Sequence, residues 1–221
     1  MGHFKSKVTC QLMIIKIKQK QQFNMNIKIV MTCMVLIATQ NLNAQHLHMG
    51  IKAGLNVFNI DNNDNSSFDP RIGINGGLIG HIHFTTHFAV QPELIYSSKG
   101  ALYRLANVDH KLRLNYLSIP ILFQYMFNNG FRIQAGPEIS ILLQAKQKTG
   151  SLTIDVKNDF KSLDFGLAGG LSYVHPPTGF GIDLRYVKGL ANINSESPET
   201  SKNQGFQLGV FYILGHRSSL N

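Results

Sequence analysis

Charged residues of both signs recur inside otherwise apolar, alternating segments of this sequence. The set contains four cations and four carboxylates, namely Lys52, Arg71, Glu93, Arg132, Glu138, Asp164, Asp183 and Arg185. Carboxylates beside a cation could act as general acid and base next to an electrophile. Charges that face the inside of a narrow fold must instead neutralise one another, because unpaired charge away from water is costly. The balance of signs favours a paired structural network, so we predict no enzyme and no catalytic residue.

Histidines offer the only metal ligands with suggestive spacing. His81 and His83 share one face of a predicted strand, and His87 follows the next turn. Zinc sites combine histidine with cysteine or carboxylate ligands, and none is nearby in sequence. A polar lining is the favoured interpretation, His81 and His83 remain a weak candidate pair, and we predict no metal and no cofactor.

Two further motifs lack features that the binding sites they resemble require. The loop Asp61–Asn65 resembles the start of an EF-hand but has Ser66 where glycine is needed at the sixth position and Ile72 where glutamate is needed at the twelfth. The glycines between Gly73 and Gly80 lie within a predicted strand and open no helix, which excludes a phosphate-binding loop.

The strands that position these residues are predicted from an alternation of apolar and polar residues with a period of two. Residues 112–145 contain two alternating segments joined by Asn128, Asn129 and Gly130, which predicts an antiparallel hairpin with long arms. Apolar residues of its second arm, from Phe131 to Ala145, share one face. The same pattern recurs eight times, with the other segments at 48–58, 71–84, 87–97, 162–174, 179–190 and 204–214.

Connections between the segments alternate in length. Three are short, at residues 85–86, 128–130 and 175–178, and four are long and polar, at 59–70, 98–110, 146–161 and 191–203. Outer-membrane barrels have short periplasmic turns, longer outside loops and an even number of strands. The pattern predicts an all-β, eight-stranded antiparallel up-and-down transmembrane β-barrel with both termini in the periplasm.

Aromatic residues flank the short turns, as expected of an interfacial girdle. They are Phe84, Phe88, Phe127, Phe131, Tyr173 and Phe180. A closed barrel of eight strands has an interior just wide enough for its own side chains. We therefore expect the eight charges to plug the lumen.

The N-terminal 44 residues are predicted to be an upstream extension, residues 1–24, and a secretory signal peptide that begins at Met25 and is cleaved before Gln45; the chain starts at Met1 or, if that start is misassigned, at Met25. This leader contains six of the 21 basic residues and none of the 12 acidic ones, so the rest of the chain has a net charge of +3. Nucleic acid is thus not an expected partner. Cys10 and Cys33 both lie in the leader. The predicted domains are 1–44, the barrel at 45–215 and a tail at 216–221.

Four stretches carry a family resemblance: Gly50–Asn56 (GIKAGLN), Tyr116–Leu122 (YLSIPIL), Gly136–Ser140 (GPEIS) and Gly181–Tyr186 (GIDLRY), the last followed by Gly189 and Leu190. Over residues 46–214 the chain resembles the PorT-like outer-membrane β-barrel family, whose members are often called porin-family proteins. The resemblance implies an outer-membrane location in a Gram-negative cell and, through the founding member, an association with protein secretion. The final strand (Val210–Leu214) is followed by a tail, whereas such barrels often end with an aromatic residue that the insertion machinery reads.

The expected function is a non-enzymatic membrane protein with a structural, adhesive or secretion-associated role. Its expected partners are outer-membrane lipid, the barrel-insertion machinery, and a protein at the outside loops or periplasmic turns. One alternative is a small porin that conducts solutes through a wet lumen. Another is a soluble lipocalin-like barrel, whose faces would be inverted, with apolar residues around a ligand.

Overall fold

A computed structural model describes residues 47–62, 68–105, 108–195 and 200–214 of the chain. The predicted leader at 1–44, the tail at 216–221 and most of the calcium-like loop therefore lie outside the described residues.

Nine strands and one 3₁₀ turn make up the described fold. The strands are β1 Leu47–Asn62, β2 Asp69–His83, β3 Phe88–Leu105, β4 Val108–Met126, β5 Phe131–Thr149, β6 Leu152–Asp155, β7 Leu163–Val174, β8 Phe180–Gly189 and β9 Ser201–Ile213, and the 3₁₀ turn is Lys157–Asp159. In the described part of the chain, no helix is long and apolar enough to cross a membrane.

Eight of these strands close into an antiparallel ring. Its order is β1, β2, β3, β4, β5, β7, β8 and β9, and β9 pairs back onto β1 with Gly50 opposite Ile213. The short strand β6 pairs only with the far end of β5. Every neighbouring pair in the ring is antiparallel, and the strands follow chain order except that β6 lies outside the ring and β9 closes onto β1, so the predicted eight-stranded up-and-down barrel is confirmed.

The two faces of the ring have opposite character. Large apolar side chains point outward and are 40–70% exposed, such as Ile72 at 68% and Val210 at 59%. Polar and charged side chains point inward and are buried, such as Gln134 and Arg185. This is the arrangement of a barrel that faces lipid, and it is the reverse of the lipocalin-like alternative.

The hairpins at the end opposite the short turns contain more strand than the sequence predicted. Residues 98–110 were expected to be a long loop, but β3 continues to Leu105 and β4 begins at Val108. The predicted loop at 146–161 likewise starts as strand, because β5 runs to Thr149 and pairs with β6. The outward-facing residues of these segments are largely polar, so the alternation of apolar and polar residues that predicts a strand is missing here. The segments pair with each other beyond the apolar band.

A register shift in the β4–β5 pair corrects one side-chain assignment. Asn115 pairs with Gln144 and the next residue, Tyr116, pairs with Leu142, so β5 contains an extra residue at this point. An extra residue reverses the facing of everything beyond it. Ala145, predicted to face outward, is therefore fully buried.

Candidate functional site: the charged interior

Four charged side chains meet in the middle of the barrel. The Arg185 guanidinium donates from Nη1 and Nη2 to the two carboxylate oxygens of Glu93, at 2.9 and 2.8 Å, and from Nε to Asp183 at 2.8 Å. Lys52 Nζ lies 2.6 Å from the other oxygen of Asp183. We call Lys52, Glu93, Asp183 and Arg185 the central cluster. Its formal charges cancel, which is the condition under which buried ions are tolerated.

The Arg185–Glu93 contact crosses the full width of the lumen. Arg185 lies on β8 and Glu93 on β3, and these strands are four positions apart in the ring of eight, so they face each other across the barrel. A two-pronged arginine–carboxylate contact is the strongest geometry available to this pair of side chains.

Three glutamines complete the hydrogen bonding around the cluster. Gln91 Nε2 donates to Glu93 at 2.6 Å, and Gln134 Nε2 donates to Asp183 at 2.9 Å. Gln124 Nε2 lies between them and donates to both Gln91 and Gln134, at 3.0 and 2.8 Å. All three side chains are buried. Neutral donors thus satisfy carboxylate oxygens without disturbing the charge balance.

A second ion pair lies nearer the end of the lumen with the extended hairpins. Lys99 Nζ donates to Glu138 at 2.7 Å and to Ser140 at 3.3 Å. The same ammonium lies 5.4 Å from the Phe58 ring centroid and 5.1 Å from that of Tyr116, within cation–π range. Lys99 falls in the predicted loop and is absent from the predicted charge set. Its position two residues beyond Ser97, in phase with Glu93, is the signal that could have found it.

Asp164 joins this region through neutral partners. Asn203 Nδ2 donates to Asp164 at 2.9 Å and to the Tyr116 hydroxyl at 3.2 Å. Asn203 on β9 and Tyr116 on β4 are again on opposite sides of the ring. A second contact therefore crosses the lumen.

Arg71 and Arg132 lie apart from the carboxylates, although the sequence grouped them with the other six charges. Arg71 Nη1 donates to the carbonyl oxygen of Lys99 at 2.7 Å and, like Nη2, to Ser98 Oγ at 3.2 Å. Arg132 Nη1 lies 3.5 Å from His81 Nε2. Neither arginine forms an ion pair within the described residues.

His81 and His83 do come together, with ring centroids 4.4 Å apart in an edge-to-face arrangement. Within the stretches that the structure describes, no group of three or more potential metal ligands is close enough to hold an ion.

Two apolar clusters share the interior with the charged residues. One contains Ile79, Ile95, Val174, Phe211 and Ile213. The larger one lies at the end with the extended hairpins and contains Ile60, Ala101, Leu112, Leu114, Tyr116, Leu142, Ala145, Val156 and Ile193. The charged residues are therefore surrounded by buried apolar side chains as well as by polar ones.

The predicted girdle residues lie around the short-turn end of the barrel. Phe84, Phe88, Phe127, Phe131 and Phe180 are 43–62% exposed, and Tyr173 is half-buried with its ring centroid 5.2 Å from that of Phe131. Tyr125 and Tyr212, not predicted as members, contact Phe88 and Phe180. Near the other end, Tyr186 packs on Phe206.

A family model described as "Outer membrane protein beta-barrel domain" matches residues 39–195. The chain belongs to this outer-membrane barrel family. Its location is therefore the outer membrane, and lipid surrounds the apolar face described above.

Several solved structures of bacterial surface proteins are similar to this outer-membrane barrel. Ail, the attachment invasion locus protein of Yersinia pestis, is 17% identical with a TM-score of 0.46, covering 76% of this chain and 98% of Ail. Neisserial surface protein A (NspA) is 12% identical with a TM-score of 0.46, covering 77% and 99%. A second Ail structure, in complex with the heparin analogue sucrose octasulfate, is 16% identical with a TM-score of 0.45, covering 76% and 99%. No curated protein sequence matches this outer-membrane barrel.

Proposed function

We propose that this barrel is a non-conducting, non-enzymatic membrane protein that works through its exposed ends. The observation that carries the proposal is the Arg185–Glu93 contact across the lumen. A water-filled pore would leave such side chains hydrated and apart, whereas here all four members of the central cluster are at most 5% exposed. The small-porin alternative therefore has no support in the described interior.

The end with the extended hairpins is the proposed working surface. Strands β3, β4 and β5 continue past the apolar band, and an open pocket of about 330 Å³ lies at this end of the barrel. Its wall combines apolar side chains such as Phe68, Tyr103 and Phe160 with polar ones such as Asn194 and Ser201. A rigid surface of mixed polarity suits an adhesive or secretion-associated contact with a protein partner, the role that the PorT-like resemblance also favours.

Orientation follows from the same asymmetry. We place the short turns and both ends of the barrel sequence in the periplasm and the extended hairpins outside, because outer-membrane barrels keep their longer connections outside. The barrel-insertion machinery is then the expected partner during assembly, acting on a final strand whose outward side chains include Phe206 and Tyr212.

Planar-bilayer recording tests the closed lumen. The purified full-length protein should show no steady conductance, because the Arg185–Glu93 contact crosses the lumen. A variant that lacks both sides of the crossing contact, Glu93→Ala with Arg185→Ala, should show more frequent current steps. A stable, salt-dependent conductance in the unmodified protein would contradict the proposal and restore the porin alternative.

A further inference from the structure

A groove of about 370 Å³ lies on the outer surface of the barrel, where strands β1 to β4 pass beside one another. One part of its wall is apolar, formed by Leu55, Ile72, Ile74 and Tyr96. The remainder is polar and cationic, formed by Arg71, Gly73, Ser98, Lys111, Arg113 and Asn115. The groove therefore runs from a lipid-like surface to a positively charged one.

An interruption in the β2–β3 ladder creates this groove. Pro70 pairs with Ala101 and Asn75 pairs with Ser97, and the register of the two strands shifts between these two pairs. Gly73 sits in the gap, and a Cβ there would lie 2.1 Å from the Ser98 carbonyl oxygen. Arg71 reaches into the same gap and bonds Ser98, which in turn donates to Asn115 at 2.9 Å.

Cations are concentrated beside the groove on one side of the barrel. Arg113 pairs with Lys146 across β4 and β5, and Lys111 pairs with Lys148, so four basic residues adjoin on two strands. We call Lys111, Arg113, Lys146 and Lys148 the basic patch. Asp155 is opposite Lys146 on β6, yet no patch residue makes an ion pair in the part of the chain that the structure describes.

Lys111, which lies beyond the apolar band, is subject both to partial burial and to the positive charges of its neighbours. Partial burial, and after it the positive charges of Arg71, Arg113 and Lys148, hold the pKa of Lys111 below its ordinary value. Adjoining cations that form no ion pair among the described residues repel one another, and a negative group that joined them would relieve this repulsion.

The height of the patch matches a headgroup position. Phe88, in the girdle at the short-turn end, and Ser98, in the groove, are ten residues apart along β3. At about 3.3 Å per residue and a tilt of about 40°, that distance along the membrane normal is roughly 25 Å, the thickness of the apolar band of such barrels. The basic patch begins directly beyond this level, where lipid headgroups lie.

We propose that the groove and the basic patch bind a phosphorylated lipid of the outer leaflet, with its phosphate groups on Lys111, Arg113 and Lys148 and an acyl chain along Leu55, Ile72 and Ile74. Charge complementarity selects the headgroup, because arginine and lysine bind phosphate with charge-assisted hydrogen bonds. The apolar part of the groove selects a lipid over a soluble anion. The inference rests on the orientation proposed above, which places this end of the barrel in the outer leaflet.

The test is native mass spectrometry of the full-length, detergent-solubilised barrel with diphosphoryl lipid A as the probe. The variant Lys111→Gln/Arg113→Gln/Lys148→Gln removes three cations from the patch. The control Lys157→Gln/Lys161→Gln/Lys188→Gln removes three exposed cations elsewhere. We expect the patch variant to lose about tenfold in lipid A affinity, since even one lost charged hydrogen bond has this effect, and the control to stay unchanged.

Three results would overturn the proposal: an equal loss in both variants, equal binding of a zwitterionic phosphatidylethanolamine, or displacement of lipid A by millimolar inorganic phosphate. A change of oligomeric mass in the patch variant with lipid binding intact would instead assign the surface to a second copy, and would overturn it too. Heat-modifiable migration on a gel confirms that each variant is folded. Binding of lipid A is measured in detergent and so does not depend on the orientation of the barrel or on whether its lumen conducts. Those two points are tested separately, by cysteine labelling and by bilayer recording.

Discussion

Arg185 joins two buried carboxylates through four hydrogen bonds. Its guanidinium contacts Glu93 and Asp183, each of which also interacts with Lys52. Among buried side chains, the stability of such a cluster depends on charge balance more than on any single pair. Removing one ion leaves its partner buried and uncompensated.

Replacing Arg185 alone should therefore be more damaging than replacing Arg185 and Glu93 together. Arg185→Met leaves two carboxylates facing one lysine and should lower the free energy of unfolding by about 3–5 kcal/mol. The double variant Arg185→Met/Glu93→Met leaves Lys52 and Asp183 as a neutral pair, so part of that loss should be recovered. Urea titration in micelles measures both.

The matched control is Arg104→Met, because Arg104 forms an exposed ion pair outside the lumen. It should leave the unfolding midpoint unchanged. A double variant less stable than Arg185→Met would show that the contact itself, and not charge balance, stabilises the interior.

Gly209 leaves room for the central cluster. A Cβ at this position would lie 2.7 Å from Lys52 Cε and 3.0 Å from an Asp183 carboxylate oxygen. Gly209→Ala should therefore displace the Lys52–Asp183 pair and lower the temperature at which the folded gel band is lost. Gly169→Ala is the control, because its nearest neighbour is the Gln134 carbonyl oxygen at 4.0 Å. Equal effects of the two substitutions would contradict this explanation.

At the scale of elements, the extended β3–β4 hairpin is the main departure from a minimal barrel. Its last described pairs include Arg104 with Asp109, joined by a 2.6 Å hydrogen bond from Arg104 Nε to Asp109 Oδ1. Both side chains are largely exposed. This contact serves to align the arms beyond the membrane, and exposed pairs of this kind add little stability.

Titration of Asp109 should report whether the hairpin is formed. The hydrogen bond from Arg104, and then its charge, hold the pKa of Asp109 below its ordinary value of 3.8. The contact is thus complete above the unfolded pKa and is lost as the pH falls through the lower, folded value. Carboxyl chemical shifts followed by NMR should show this low pKa in the unmodified protein and a return toward 3.8 in Arg104→Gln. An ordinary pKa in the unmodified protein would mean that the arms are not paired here.

At the scale of the whole molecule, the two ends of the barrel differ in length and chemistry. One has tight turns and a phenylalanine girdle, and the other has extended hairpins, the open pocket and the basic patch. The proposals for function and lipid binding both require that the second end faces outward.

Cysteine labelling on intact cells should establish this orientation. Cys10 and Cys33 are the chain's own cysteines and both lie in the predicted leader, so single cysteines can be introduced at exposed sites. Thr153→Cys on β6 should react with a membrane-impermeant maleimide in intact cells. Asn129→Cys, in the turn between β4 and β5, should react only after the outer membrane is permeabilised. The opposite pattern would reverse the proposed topology.

The sequence by itself determined the class of fold and the two faces of each strand. Side chains alternate between the two faces of a strand, so Ile72 and Ile74 had to share a face opposite Asn75. The short turns determined which strands lie next to each other. It also identified Lys52, Glu93, Asp183 and Arg185 as inward-facing, since each interrupts the apolar pattern of its strand in phase with small or polar residues.

Only the tertiary structure decided which inward charges meet. The Arg185–Glu93 contact joins strands on opposite sides of the ring, and its partners depend on closure and stagger, which no local pattern encodes. The extra residue near Gln144 reversed the facing of Ala145, and polar strand ends concealed Lys99. Arg71 has the sequence spacing of the inward-facing charges, yet it forms its hydrogen bonds between β2 and β3, because the pairing of these strands is interrupted there. Period and turn chemistry are local properties of the chain, whereas pairing across a lumen depends on how eight strands close.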